Sequence, residues 1–410
     1  MNKEDILKLI NESEKELLPL FNEIDKQEYL NSLNIINAFK EENISESDFG
    51  STTGYGYNDI GRDKIERVFA KIFNAEDALV RTQIISGSHA LTVSLFALLR
   101  PNDTLLYITG MPYDTLHEVI GIKENSSSLK AYNINYEQID LINDDFDYEK
   151  IEDILSKKKI KIIAIQRSKG YSLRKSIDII KIQKVIKFIK NIDKNIIIMI
   201  DNCYTEFVED KTPNMVGADL TVGSLIKNLG GGIARNGGYI VGKKDLVHLA
   251  SERLNLPGEA KAVGPSLGFN REILMGLYHA PVSVASSLKT AILTSKVMEK
   301  LGYEVEPRYG DKRCDIVQTI IFNDADKLIK YVGGIQRGSA VDNNAVIIPV
   351  DMPGYDDKII MASGSFTQGS SIEISCDGPL RKPFVAYQQG SLSYAYGKIA
   401  LINAIENLKK

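Results

Sequence analysis

"TVGSLIKNLGGGIARNGGYIVG", residues 221–242, opens like the end of a strand, sets one lysine, Lys227, between Ser224 and a run of glycines, and closes on a second short apolar run. A lysine is a long cation whose head ordinarily stays in water. One placed in a turn of small residues between two apolar segments has two readings. Either Lys227 is a solvated lysine on a glycine loop, as most lysines are. Or its amine is partly desolvated, which disfavours the ammonium form and leaves a nucleophile that condenses with a carbonyl to a Schiff base.

Outward from this stretch, apolar runs alternate with helix-period segments. The pattern predicts strands over 78–85, 104–108, 160–166, 196–201, 220–222 and 239–241, with helices such as 88–99 and 177–189 between several of them. That alternation implies an α/β fold with a mostly parallel sheet and helices on its faces. Before it, residues 3–42 repeat Ile6, Leu9, Ile10, Leu17, Leu18 and Phe21 at helical spacing and read as one or two amphipathic helices. From about residue 285 the pattern changes to helix 287–301, a strand near 316–322, helix 325–333, short strands and a last helix. The expected organisation is an N-terminal helical arm (1–50), a large domain (51–285) and a smaller α+β C-terminal domain (286–410).

Open parallel sheets bind ligands at the carboxyl ends of their strands, so polar residues that follow apolar runs deserve inspection. "IISGSHALTVSLF" passes from strand to helix through Gly87 and Ser88, which puts free N–H groups and a positive helix end at one point. Read alone, it is a phosphate cradle or a simple serine cap. "NIIIMID" ends in Asp201, a carboxylate that either caps the turn through Asn202 and Cys203 or faces a cation. The third end is Ser224 followed by Lys227, 26 residues after Asp201. One ligand uses all three. Pyridoxal 5'-phosphate needs an amine for its aldehyde, a carboxylate for its protonated ring nitrogen and a cradle for its phosphate. Tyr113, in "TGMPYDTL", also follows a strand, and its ring either packs at the turn or stacks on the pyridine face.

Other readings of the glycines fail on spacing. "GYIVGKK" from Gly238 is one residue short of a P-loop and lacks its hydroxyl, and the run from Gly230 meets an arginine, Arg235, where a dinucleotide fingerprint needs glycine. The glycines are expected to let the backbone pass close to cofactor or partner subunit. His89, His117, His248 and His279 show no metal-binding spacing, and Cys203, Cys314 and Cys376 suit free thiols. A formal net charge of −4 gives no electrostatic case for a nucleic-acid partner. The charged amphipathic start lacks the apolar core of a signal peptide and no segment is apolar for long enough to span a bilayer, so a cytoplasmic protein is expected.

Together "GYGYNDIGRD", "SGSHA", "PYDTLHEVIGI", "IQRSKGYSLR", "DNCYTEF", "GADLTVGSLIKN", "MPGYDDKIIMASGSF" and "IEISCDGPLRKPF" resemble the bacterial methionine gamma-lyase-like family, also labelled aluminium-resistance or cystathionine beta-lyase-type proteins. More distantly the chain is similar to the trans-sulfuration enzymes of pyridoxal-phosphate fold type I. The resemblance implies a large domain with a seven-stranded, mostly parallel sheet and a homotetramer built as a dimer of dimers. It implies that Lys227 forms the Schiff base, Asp201 pairs with the pyridine nitrogen, Gly87, Ser88 and Ser224 hold the phosphate, and Tyr113 stacks on the ring. Tyr113 stands 26 residues beyond Gly87, as in those lyases.

The segment 55–62 is implied to reach the neighbouring subunit's cofactor. Where the trans-sulfuration enzymes carry Tyr-x-Arg, however, this chain reads Tyr55-Gly56-Tyr57, which makes Arg62 the candidate for the phosphate. Where they place a carboxylate-binding arginine, this chain has Glu373 in "SIEIS", and Arg381 and Arg167 are the candidates for that role. The implied activity is a pyridoxal-phosphate-dependent carbon–sulfur lyase that removes an α-proton and eliminates at Cβ or Cγ of a cystathionine-, methionine- or cysteine-type amino acid. Transamination, or an idle stress-associated binding protein on the same fold, stays open, because fold does not fix reaction type.

Overall fold

The computed structural model describes residues 2–409. These form two compact units: a sheet unit of Leu33–Leu225 and Asn236–Met275, and a small unit of Met1–Ser32, Ile226–Arg235 and Gly276–Lys410.

The sheet unit is built on seven strands: β1 (Asp77–Arg81), β2 (Thr104–Tyr107), β3 (Asn135–Gln138), β4 (Ile162–Gln166), β5 (Ile197–Asp201), β6 (Leu220–Ser224) and β7 (Gly238–Gly242). Their order is β1-β7-β6-β5-β4-β2-β3. β7 runs antiparallel to both neighbours, and every other pairing is parallel. Along β2, β4 and β5 the apolar runs divide by alternate residues. Leu105, Tyr107, Ile162, Ala164 and Met199 face helices Gly87–Leu98 and Lys244–Leu254, while Leu106, Ile163, Ile165, Ile198 and Ile200 face helix Ile179–Ile192. Burial on both faces is why these strands read as unbroken apolar runs.

In this sheet one strand is shorter than the sequence reading and one was not expected. β1 stops at Arg81, not Ile85, because Ile84 N–H closes a turn on Arg81 O and the chain then crosses to the next helix. β3, "NYEQ", was not expected as a strand, since this edge strand carries no apolar run.

The small unit holds an antiparallel sheet of β8 (Glu304–Glu306), β9 (Gln318–Ile321), β10 (Ile359–Ala362), β11 (Ser375–Pro379) and β12 (Val385–Gln389), in the order β10-β11-β12-β9-β8. Helices Ala325–Arg337 and Tyr394–Leu408 meet backbone to backbone at Gly334 and Gly338. The arm is one helix, Lys3–Glu41. Within the small unit its Glu16 pairs with Lys296 and Lys300, each at 2.7 Å. The helix expected over 287–301 starts much earlier and runs Asn270–Lys300, with Pro281 inside it. No helix among the described residues is long and apolar enough to cross a membrane.

Candidate active site

The carboxyl edge of the sheet gathers most of the residues singled out from the sequence. Helix Gly87–Leu98 starts behind Ser86, whose hydroxyl accepts the His89 N–H at 3.1 Å. The N–H groups of Gly87 and Ser88, at the first turn, have no intrahelical acceptor and point out of the helix with its positive end. Gly87 is enclosed: a Cβ there would stand 3.1 Å from Cys203 Sγ and 3.4 Å from Ser224 Cβ. The helix start, the turn after β5 and the end of β6 therefore converge on a single small residue. Ser224 itself is fully buried.

Asp201 ends β5 and is buried, and its Oδ1 accepts the Cys203 N–H at 3.1 Å. The turn-capping role weighed for this carboxylate is thus present. Tyr107 lies on β2, and burial, reinforced by the Asp201 charge, holds its phenol well above the ordinary range.

Tyr113 touches the helix start through its hydroxyl, which meets Ser88 Oγ, while Ser88 Oγ also lies 3.2 Å from Thr115 Oγ1. The Tyr113 backbone N–H donates to Gln166 Oε1 at 3.0 Å. Gln166, the last residue of β4, is a positioning residue that the sequence reading missed. The signal available was its place as a polar residue closing the apolar run "IIAIQ". His89 Nδ1 accepts the Ile85 N–H at 3.2 Å, and burial lowers its pKa, so the imidazole is a neutral staple of the strand-to-helix loop.

Lys227 follows Ser224 by three residues and belongs to the segment Ile226–Arg235 of the small unit. It precedes a single 3-10 turn, with Gly230 N–H bonded to Lys227 O at 3.2 Å, and is half-buried. The glycines behind it permit a close approach within the chain itself. A Cβ on Gly231 would stand 2.5 Å from Gly276 O, and one on Gly276 would stand 2.5 Å from Gly230 O. The backbone lies directly on the chain's own helix Asn270–Lys300, and His279 Nδ1 and Ser283 Oγ are 3.1 and 3.2 Å from Gly231 O.

The remaining candidates are engaged by other groups of the chain. Arg62 is buried, with Nη1 donating to Gly56 O at 2.7 Å and Gly264 O at 2.9 Å and Nε donating to Asp63 at 2.9 Å. It ties down the segment that carries Tyr55 and Tyr57, whose stacked rings are 71% and 54% exposed. Arg167 is fully buried, and all three of its guanidinium nitrogens have acceptors. Nε donates to Ile177 O, Nη1 to Asn202 Oδ1 and Thr205 Oγ1, and Nη2 to Glu209 at 2.5 Å. Arg381 is half exposed and pairs with Asp357 at 2.9 Å. Glu373 accepts the N–H groups of Phe366 and Thr367 at 2.8 and 2.9 Å, holding the loop "GSFTQG".

The donor set at the sheet edge fits pyridoxal phosphate. Helix-start N–H groups and Ser224 around the Gly87 hollow suit a dianionic phosphate, and the buried Asp201 suits a protonated ring nitrogen. No group of three or more His, Cys, Asp or Glu able to hold a metal occurs among the described residues.

A mostly parallel seven-stranded sheet with a separate small antiparallel sheet is the architecture of the fold type I pyridoxal-phosphate enzymes. A pyridoxal-5'-phosphate-dependent protein of Escherichia coli, YhfS, shares the fold with a TM-score of 0.64 at 16% identity, over 94% of this chain and 97% of that one. This chain belongs to the methionine gamma-lyase family, whose model matches residues 6–409. It is similar to a carbon–sulfur lyase involved in aluminium resistance from Clostridium novyi NT, at 46% identity and a TM-score of 0.94, covering 98% and 95% of the two chains. A Clostridium acetobutylicum protein provisionally named a cystathionine beta-lyase involved in aluminium resistance gives 44% identity and a TM-score of 0.96, over 99% and 96%. The uncharacterized protein YnbB of Bacillus subtilis (strain 168) is 44% identical over 97% of this chain and 95% of its own length.

Proposed function

We propose that the protein is a pyridoxal-phosphate-dependent carbon–sulfur lyase that removes the α-proton of a sulfur amino acid and expels a thiol from Cβ or Cγ. The observation that carries this reading is the hollow at Gly87, which joins helix-start N–H groups, Ser224 and the turn after Asp201, with one lysine three residues further along the chain. The bound cofactor would supply an aldehyde for the substrate amine and an electron sink for the charge left at Cα.

The chain's own residues do the rest. Gly87 and Ser88 N–H groups and the Ser224 hydroxyl would bind the phosphate, and Asp201 would hold the proton on the ring nitrogen. Tyr113, fixed by Gln166 and Ser88, would offer its ring to the pyridine face and its hydroxyl as a proton donor. Lys227 Nζ would hold the cofactor's aldehyde and would serve as the base that takes the α-proton and later returns it. Tyr113 Oη gives its proton to the departing thiolate.

The same reading extends to assembly. A homotetramer of close dimers would bring the segment 55–62 to the neighbouring subunit's site. The support for this is a pair of exposed, stacked tyrosines on a segment that Arg62 and Asp59 fasten firmly to its own subunit.

Borohydride reduction of the cofactor-loaded protein followed by peptide mapping should find a pyridoxyl group on Lys227. The same preparation should release a 2-oxo acid from cystathionine, methionine or cysteine. An adduct on another residue, or no 2-oxo acid from any of the three, overturns the reading.

A further inference from the structure

The turn that follows Asp201, "NCYTEF" (202–207), does not hold itself. Tyr204 and Phe207 both lie in the left-handed backbone region, with φ of 72° and 62°. Bulky residues rarely adopt it, and such a conformation persists only where the surrounding structure imposes it. Arg167, the residue after β4, grips this turn from two sides. Its backbone N–H donates to Asp201 O at 3.2 Å, while its Nη1 donates to Asn202 Oδ1 at 2.8 Å and Thr205 Oγ1 at 2.9 Å.

The guanidinium is fixed in its turn. Nη2 meets Glu209 Oε2 at 2.5 Å, and Nε donates to Ile177 O at 3.3 Å. Glu209 Oε2 also accepts the N–H of Ile179, the first residue of helix Ile179–Ile192, at 3.0 Å. Arg167 is 1% exposed, and Asn202 and Thr205 are as fully covered. A planar fork buried on internal acceptors fixes where those acceptors sit.

What it fixes is the surroundings of one carboxylate. Cys203, whose N–H holds Asp201 Oδ1 at 3.1 Å, lies between Asn202 and Thr205, the two side chains that Nη1 bonds. Asn202 N–H is tied as well, to Val222 O on β6 at 2.9 Å. All of these residues belong to the sheet unit.

We propose that Arg167 is a positioning residue, which clasps the strained turn after β5 so that the Asp201 carboxylate is presented to the cofactor's ring nitrogen in one orientation. The assignment rests on the cofactor reading above and gives Arg167 no contact with the substrate.

Two variants test it. Arg167→Lys keeps the charge beside Glu209 without the fork, and Thr205→Val removes one hydroxyl and leaves Arg167 whole, so it carries the test alone if Arg167→Lys does not fold. In the apoprotein each change should speed labelling of the buried Cys203 by a thiol reagent about tenfold, read by peptide mapping, because the turn opens more often. In the loaded protein, the ring-nitrogen NMR resonance of isotope-labelled pyridoxal phosphate should report a protonated ring in the parent. In both variants it should move toward the unprotonated position, as it should in Asp201→Asn. Cofactor affinity should fall about tenfold in each variant, the scale of coupling within one hydrogen-bonded network. Placed in the Asp201→Asn background, Arg167→Lys should cost less than about twofold, because the carboxylate it acts through is gone.

Equal losses in the two backgrounds, or unchanged Cys203 labelling in both variants, would make Arg167 a structural residue and overturn the assignment. A raised KM for the amino acid with the parental resonance and affinity would move Arg167 to the substrate and overturn it too. A parent protein that takes up no cofactor refutes the reading above, and the labelling rates then still decide whether Arg167 sets the turn.

Discussion

Gly87 and Cys203 meet at the carboxyl edge of the sheet so closely that a methyl group on Gly87 would stand 3.1 Å from the Cys203 sulfur. The hollow between them exists because position 87 has no side chain. Its backbone does not require glycine for conformational reasons, so Gly87→Ala is a test of space alone. The variant should fold with a loss of no more than about 1 kcal/mol. Its pyridoxal phosphate affinity should fall about tenfold or more, ~1.4 kcal/mol, because the methyl group occupies the phosphate hollow. Titration of the apoprotein with cofactor, followed by absorbance, checks it. Unchanged affinity would place the phosphate elsewhere.

Tyr113 is held at both ends, by Gln166 on its backbone N–H and by Ser88 on its hydroxyl. Tyr113→Phe keeps the ring and removes the proton donor. Elimination should slow by about 100-fold in kcat, within the usual range for loss of a general acid. Cofactor affinity should change little, because stacking needs only the ring. Gln166→Ala should lower both kcat and cofactor affinity, since it releases the backbone that aims Tyr113. Steady-state kinetics on the two variants separates the roles.

Much of the sheet edge was legible in the sequence for a simple reason. In a parallel sheet buried on both faces, a strand is an unbroken apolar run, and the first polar residue after it marks the functional end. Asp201 and Ser224 are visible that way, and Gly87 as the small residue of the loop that opens a helix. What was not legible depends on partners far away in the chain. Arg167 and Arg313 look alike in one dimension. Arg167 is committed by Asn202, Thr205 and Glu209, 35 to 42 residues downstream, whereas Arg313 meets only Gln318 and Pro307. The glycines after Lys227 advertised a close approach, but their neighbour, Gly276, lies in a helix whose internal Pro281 disguises its length.

Asp59 links the sequence "GYGYNDIGRD" to acid stability. It caps helix Ile60–Phe73 by accepting the Arg62 N–H at 3.0 Å, and it also accepts the Thr52 hydroxyl at 2.6 Å and bonds from Ser266 and Asn270. Burial alone would raise its pKa, but these four donors outweigh burial and lower it to about 2. A folded pKa below the ordinary 3.8 gives stability that is present above pH 4 and is lost as pH falls toward 2. The parent protein should therefore lose stability over that window, and Asp59→Asn should flatten the loss. At pH 7 the variant should be less stable by about 1 kcal/mol, not because the cap is lost, since asparagine caps as well as aspartate, but because bonds to a carboxylate are stronger than bonds to a neutral amide. Urea melts at pH 7, 4 and 2.5 on both proteins test the sign, and parallel pH dependences would assign the acid loss to other carboxylates.

The close pair Gly334 and Ala404 carries a prediction that depends on packing alone. A Cβ on Gly334 would stand 2.4 Å from Ala404 Cα and 2.7 Å from Asn403 O, backbone atoms that do not rotate away. Gly334 is helical, so an alanine there gains about 1 kcal/mol of helix propensity. Against that, the two helices must separate, and overpacking of this kind costs about 1–3 kcal/mol. Gly334→Ala should come out destabilised, and Gly333→Ala, one residue away with only Asn407 Nδ2 at 3.5 Å before it, stabilised or neutral. The opposite signs of two neighbouring Gly→Ala changes, read from the midpoints of denaturant melts, separate helix propensity from interhelical contact. Equal effects at both positions would mean that the helices are not packed as closely as Gly334 and Ala404 indicate.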